Sequence, residues 1–177
     1  MAVYGDLADI VTSIFKKLGE STDFLRLVSN DEPDALDVAP KNTLSELMNS
    51  SDINPARLVP LPFTSEPTQD KGTYMHIYYV NGSFAGANNV YQHDIVFNVV
   101  LYSHVESWQL TPSGTKNRIR PYELLDIIES TISSMDVPQA IRGKFVVTPP
   151  RYVGLRNEFC GYDFSIKITG SSSKMCN

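Results

Sequence analysis

Cysteine is scarce in this chain of 177 residues, which contains only Cys160 and Cys176. Two cysteines do not form the disulfide framework of a small secreted protein, and no pair of Cys-x-x-Cys type indicates a zinc site. A chain of this length buries enough surface to fold without cross-links. We therefore expect one domain that folds in a reducing cytoplasm.

Long apolar runs are also absent. No stretch approaches the roughly 18 residues that a membrane-spanning helix needs. The longest run, residues 95–102, is interrupted by Asn98 and has the length of a strand. The first residues lack the basic region and apolar core of a signal peptide. We expect no membrane partner.

Residue patterns typical of catalysis are missing as well. The sequence has no GxSxG, Walker A or GxGxxG pattern. Its three histidines flank or lie within predicted strands, where packing or surface roles are the common case: His76, His93 and His104. Three carboxylates follow one another at three-residue spacing on a predicted solvated helix face: Glu123, Asp126 and Glu129. We predict no catalytic, metal or cofactor-binding residue, and hence not an enzyme.

The charge balance is acidic, with a formal net charge of −5. This argues against a protein whose main task is to neutralise phosphates. One local group is basic: Lys116, Arg118 and Arg120 precede a predicted helix, whose dipole disfavours cations there by about 0.3–1 kcal/mol each. These cations either form a solvated loop or contact a partner. Trp108, in the same connection, is either a core residue or an exposed interface anchor.

The first 55 residues predict one helix and an irregular insert. Apolar residues at helical spacing form a single stripe from Leu7 to Leu18, between a possible cap at Asp6 and Gly19. The insert, residues 20–55, contains a stretch at 22–28 that fits either a helix or a strand. Thr43 and Glu46 have capping-box spacing, which indicates a helical turn.

The remainder predicts strands around a second helix. An edge strand at 57–63, containing two prolines, is followed by strands at 73–80 and 93–105. A helix begins at Pro121 and is stopped by Pro138, and strands at 144–148 and 159–169 follow.

The predicted fold is therefore α+β: a largely antiparallel sheet of about five strands with two amphipathic helices on one face. Residues 1–170 form one domain and 171–177 a flexible tail. We expect Leu125→Ala to cost about 2–5 kcal/mol if its side chain is buried. The predicted core comprises Leu7, Ile10, Ile14, Phe97, Val99, Leu125, Ile128 and Ile166.

Three segments carry a resemblance to a known family: "GTYMHIYYVNG", "HDIVFNVVLYSHVESW" and the helix "RPYELLDIIESTI". Together, residues 59–132 resemble the tail terminator and neck proteins of long-tailed bacteriophages. The resemblance implies a homo-oligomeric ring, commonly a hexamer, at the head–tail junction of a virion assembled in the host cytoplasm. Such a ring caps the tail tube protein and joins it to head-connector proteins. It brings no active-site residues.

A closed ring uses two different faces of each subunit. The candidate interface residues are Trp108, Lys116, Arg118 and Arg120. The three cations are expected to pair with Asp31, Glu32, Asp34 and Asp37 of a neighbour or to make non-specific contact with passing DNA. Removing Arg118 and Arg120 together is expected to weaken assembly and leave the fold intact. Three alternatives stay open: another neck or head-completion protein of the connector, a small-ligand or peptide-binding module, and an enzyme with an unfamiliar site.

Overall fold

The computed structural model describes residues 3–49, 51–52, 55–62, 71–84, 92–137, 143–154 and 158–171. Over these residues the chain has the predicted α+β fold, with a six-stranded, mostly antiparallel sheet. The helices are α1 Val3–Gly19, α2 Thr22–Ser29, α3 Leu44–Met48 and α4 Arg120–Ser133. The strands are β1 Leu58–Val59, β2 Thr73–Phe84, β3 Gln92–His104, β4 Gln109–Leu110, β5 Arg118–Ile119, β6 Lys144–Val147, β7 Arg151–Gly154 and β8 Phe159–Ser171.

The strand order of the main sheet is β1-β2-β3-β8-β6. Long β3 is central and pairs antiparallel with β2 and β8 along nearly its whole length. Because β3 occupies one side of β8, both β6 and β7 pair with its other side. β1 forms the opposite edge, as expected from Pro60 and Pro62 of the predicted strand, although it is only two residues long and pairs parallel with β2. Strands β4 and β5 form a separate hairpin.

A bulge interrupts the pairing of β2 with β3. Tyr79 pairs with Phe97 and Asn81 with Val96, so Val80 is the extra residue. Its side chain is 50% exposed. β1 reaches only Met75 and His76, and no other strand among the described residues lies beside β2 on that side.

The helices cover one face of the sheet. The apolar side chains of α1 and α4 meet the alternate residues of the strands, and Ile10, Ile14, Phe97, Val99 and Ile166 are essentially inaccessible to solvent. Helix α4 contributes Leu124, Ile128 and Ile132, which share one helical face and are fully buried. Leu125 is the exception among the predicted core residues. It is only partly buried, because it lies one position round the helix from that face.

Several predicted boundaries change. Helix α1 begins at Val3 rather than after Asp6, and β2 extends to Phe84 rather than ending at Val80. The undecided stretch at 22–28 is helix α2, capped by Ser21, and the capping box of Thr43 and Glu46 is present. Strand β7 was not predicted; its pairing with β8 fills the connection at 149–157. Ser171, expected to begin the flexible tail, is instead the last residue of β8. Pro138, Phe63 and residues 172–177 lie outside the described residues.

The sheet face away from the helices carries a smaller aromatic cluster. Tyr74 stacks on Tyr102 at 5.2 Å between ring centroids, and Phe159 packs against the edges of both rings. His76 stacks on the same Tyr102. The Nδ1–H of His76 donates to the carbonyl oxygen of Leu61 at 3.2 Å. This contact brings the chain that follows β1 over the face.

His76 predicts a pH dependence of stability. Burial lowers its pKa below the ordinary 6.5, so the unfolded chain binds the proton more readily than the folded one. Its contribution is therefore complete above about pH 6.5 and is lost as the pH falls through the lower folded value. We expect urea midpoints to fall as the pH is lowered below about 6.5, and His76→Gln to flatten this part of the profile. An unchanged slope in the variant would contradict the assignment.

Candidate interaction surface

Arg120 is the most deeply buried polar side chain beside the hairpin. Although it is the first residue of α4, it has no solvent exposure. Its guanidinium donates to four backbone carbonyls: Ser107 at 2.6 Å, Leu27 and Asn30 at 2.5 Å each, and Glu32 at 2.9 Å. The expectation that Arg120 lies in an exposed basic loop is therefore wrong. The side chain fastens α2 and the insert to the connection before α4.

The α2 terminus explains this placement. A cation at the start of α4 opposes the dipole of that helix, but the guanidinium reaches the carbonyl end of α2, whose dipole favours positive charge. Burial lowers the pKa of Arg120 to about 10, which still leaves the group charged at neutral pH. The five donors of arginine suit such a set of carbonyls, since lysine has three donors on a single atom.

Two of the four acidic side chains in residues 31–37 have partners within the chain. Asp31 accepts two hydrogen bonds from Arg57, at 2.8 and 2.9 Å. The carboxylate of Asp37 accepts from the Ser113 amide at 2.6 Å, and the carbonyl of Pro33 accepts from the Thr111 amide at 2.8 Å. Asp31 and Asp37 are therefore engaged within the chain, whereas Glu32 and Asp34 are exposed. The insert and residues 106–120, which connect β3 to α4, contact each other.

Regular structure occupies much of residues 106–120. A 3-10 turn at Val105–Ser107 leads into the β4–β5 hairpin. Residues 113–119 are exposed, including Lys116 and Arg118. Arg118 pairs with Glu123 of α4 at 2.8 Å, with both side chains partly accessible. Two of the three predicted cations therefore stay on the surface.

Trp108 belongs to a cluster of rings at the base of this hairpin. It is half-buried, donates from Nε1 to the carbonyl of Ser103 at 3.4 Å and stacks on Tyr162. The rings of Tyr122 and Tyr152 lie 5.9 and 6.1 Å from that of Tyr162. Burial and a hydrogen bond with Tyr122 raise the pKa of Tyr162 to about 12, so it is neutral at physiological pH.

Much of this cluster faces solvent. Tyr152 is 62% exposed, Tyr122 is 49% exposed, and Ile119 at the end of the hairpin is 41% exposed. We call these residues the aromatic surface; it consists of Trp108, Ile119, Tyr122, Tyr152 and Tyr162. The sequence indicated only Trp108. The tyrosines come from α4, β7 and β8, and their convergence depends on the β7–β8 pairing that was not predicted.

Two depressions adjoin the aromatic surface. A shallow groove of about 410 Å³ is lined by Trp108, Gln109, Asn117, Arg118 and Ile119. A cleft of about 290 Å³ runs between α4 and the chain joining β6 to β7, lined by Leu125, Ile128, Glu129, Val147, Thr148, Pro149, Pro150 and Phe164. Glu129 and Thr148 are the polar side chains of that lining. The cleft is thus suited to apolar contact.

The residues considered for chemistry are dispersed. His76 and His104 are buried on the face away from the helices, and the side chain of His93 lies outside the described part. His104 accepts from the Glu106 amide through Nδ1 and approaches Glu158 through Nε2. Asp126 and Glu129 are exposed on α4. Over the described ranges, no three His, Cys, Asp or Glu residues are placed to hold a metal ion.

A membrane-spanning helix must be both long and apolar. Of the helices in the described part of the chain, none combines the length and the apolar composition that crossing a bilayer requires.

The chain matches a known protein family. The model of the YomW family matches residues 21–167, from the start of α2 into β8. The chain belongs to the YomW family. The family name is phage-derived and indicates a phage protein. The matched residues include nearly all of the insert, the hairpin and the whole aromatic surface, so these features lie within the part of the chain that the family shares. Comparison with curated proteins finds no match.

Proposed function

We propose that this YomW-family protein is a structural component of a bacteriophage virion, and that it forms a ring at the head–tail junction. In this role it caps the tail tube and joins it to the head connector, as the tail terminators that its sequence resembles do. The phage-derived family name supports the viral origin. The assembly role is supported by the kind of surface the fold presents.

The aromatic surface is the observation that carries the proposal. Monomeric proteins seldom expose several large rings side by side, and tyrosine, tryptophan and arginine are enriched where proteins bind each other. Here Tyr122 and Tyr152 are about half exposed or more, with Arg118 and Lys116 at the rim. The buried guanidinium of Arg120 holds the hairpin in place. A surface fixed in this way loses little entropy on assembly.

A nonsense mutation in the phage gene tests the proposed role. An amber codon in the phage that encodes the chain should give filled heads and separate tails, with tails of irregular length. A plasmid copy of the wild-type gene should restore joined, infectious particles, and a labelled copy should appear at the junction in electron micrographs.

Two other outcomes are informative. Unjoined tails of normal length would favour a different neck protein over a terminator. Infectious particles of normal form, made without the chain, would exclude the proposed role.

A further inference from the structure

The two edges of the sheet differ in character. One edge, formed by β6 and β7, carries the aromatic surface. The other, formed by β1 and β2, carries two exposed aliphatic side chains: Leu61 is 61% exposed and Val80 is 50% exposed. With four strand spacings of about 4.8 Å between β1 and β6, these features lie roughly 19 Å apart across one subunit.

Exposed charged side chains near the two edges differ in sign, although Arg118 beside the aromatic surface pairs with Glu123. Lys116 and Arg118 are exposed beside the aromatic surface, and Arg151 of β7 is 81% exposed although it pairs with Asp163. On the other side, α3 packs against β1 and α1, and the turn after it carries exposed Asp52. Glu46 of α3 lies at the surface nearby, where hydrogen bonds from Thr43 lower its pKa and keep it ionised.

We propose that the aromatic surface binds the β1–β2 edge of a second copy of this chain, with Leu61 and Val80 against the rings and the acidic residues Glu46 and Asp52 against the basic rim. This inference rests on the proposed ring and names its contact. A head-to-tail contact requires two different, complementary patches on each subunit. Placing them on opposite edges of one rigid sheet lets each copy present a free patch to the next.

The alternative contact is symmetric, with one aromatic surface against another. It would place Lys116, Arg118 and Arg151 opposite the same cations of the partner, and like charges set against each other are unfavourable. In the head-to-tail contact these cations would instead face the acidic residues Glu46 and Asp52. A stable contact of this kind should bury at least about 1,000 Å² in total.

Cross-linking between engineered cysteines tests the contact. The background is Cys176→Ser, with Cys160 retained because it is buried. The variant Leu61→Cys with Tyr122→Cys is treated with a short thiol-to-thiol reagent, both as purified protein and in particles that it complements. We expect a ladder of multimers in denaturing gels that stops at a closed size. Each single variant should give at most a trace of dimer.

The chain offers a matched control. Val146 of β6 is an exposed aliphatic residue on the same edge as the aromatic surface. Val146→Cys with Tyr122→Cys should give no ladder between copies. Efficient dimerisation of Tyr122→Cys alone would instead establish the symmetric contact and overturn the inference.

A second arm tests the charges. Adding Lys116→Ala and Arg118→Ala to the cross-linking pair should lower the multimer yield several-fold, as should raising the salt concentration. An undiminished yield at every salt concentration would exclude the charged part of the contact.

The particle arm separates this inference from the proposed function. Particles that contain the double-cysteine chain at the junction but give no ladder would refute the edge-to-edge contact and leave the ring intact. Particles that lack the chain would refute the ring itself.

Discussion

Replacing Arg120 with alanine is expected to lower the free energy of unfolding by about 3–5 kcal/mol, since each buried carbonyl left without a donor costs about 1–3 kcal/mol. The carbonyls of Leu27, Asn30 and Ser107 lose this donor, while that of Glu32 still accepts from the Ala35 amide. Local rearrangement recovers part of this cost. Urea unfolding at neutral pH measures the change.

The loss should be localised as well as large. Hydrogen exchange should quicken at the amides of Thr111 and Ser113, which bond to the insert, before it does so in β3. Arg120→Lys should be intermediate, because it keeps the charge with fewer, differently placed donors. The matched control is Arg118→Ala, whose exposed ion pair with Glu123 is worth less than about 1 kcal/mol. Equal losses in the Arg118 and Arg120 variants would disprove the role of the buried guanidinium.

Ile128→Ala is expected to cost about 2–5 kcal/mol, because it opens a cavity between α4 and the sheet where the side chain is fully buried. Leu125→Ala removes a side chain of equal size from the rim of the cleft and should cost distinctly less. The pair separates burial from helix propensity, since both variants place alanine in the interior of the same helix. Equal urea midpoints for the two variants would show that Ile128 and Leu125 are not buried to different extents as described.

Periodicity was sufficient to predict the α+β fold, because α1, α4 and the long strands bury continuous apolar faces. It failed at β7, where the residues are mostly exposed and alternation leaves little signal. The capping box at Thr43 needed only local hydrogen bonds and was predictable. Arg120 was not: its position depends on carbonyls about 90 residues away in sequence, which no local rule reveals. The aromatic surface shares this difficulty, since its rings come from four separate segments.

The bulge at Val80 bears on how a growing assembly ends. A straight, open strand edge accepts further strands without limit, which is the route to fibres. Here Val80 bulges out of the β2–β3 ladder, and within the described part of the chain β1 offers only two residues for pairing. In the proposed ring, association at this edge through side chains, rather than through an extended backbone ladder, would fix the angle between neighbouring copies. A fixed angle permits a finite, closed number of subunits, whereas continuous strand addition would give filaments of indefinite length.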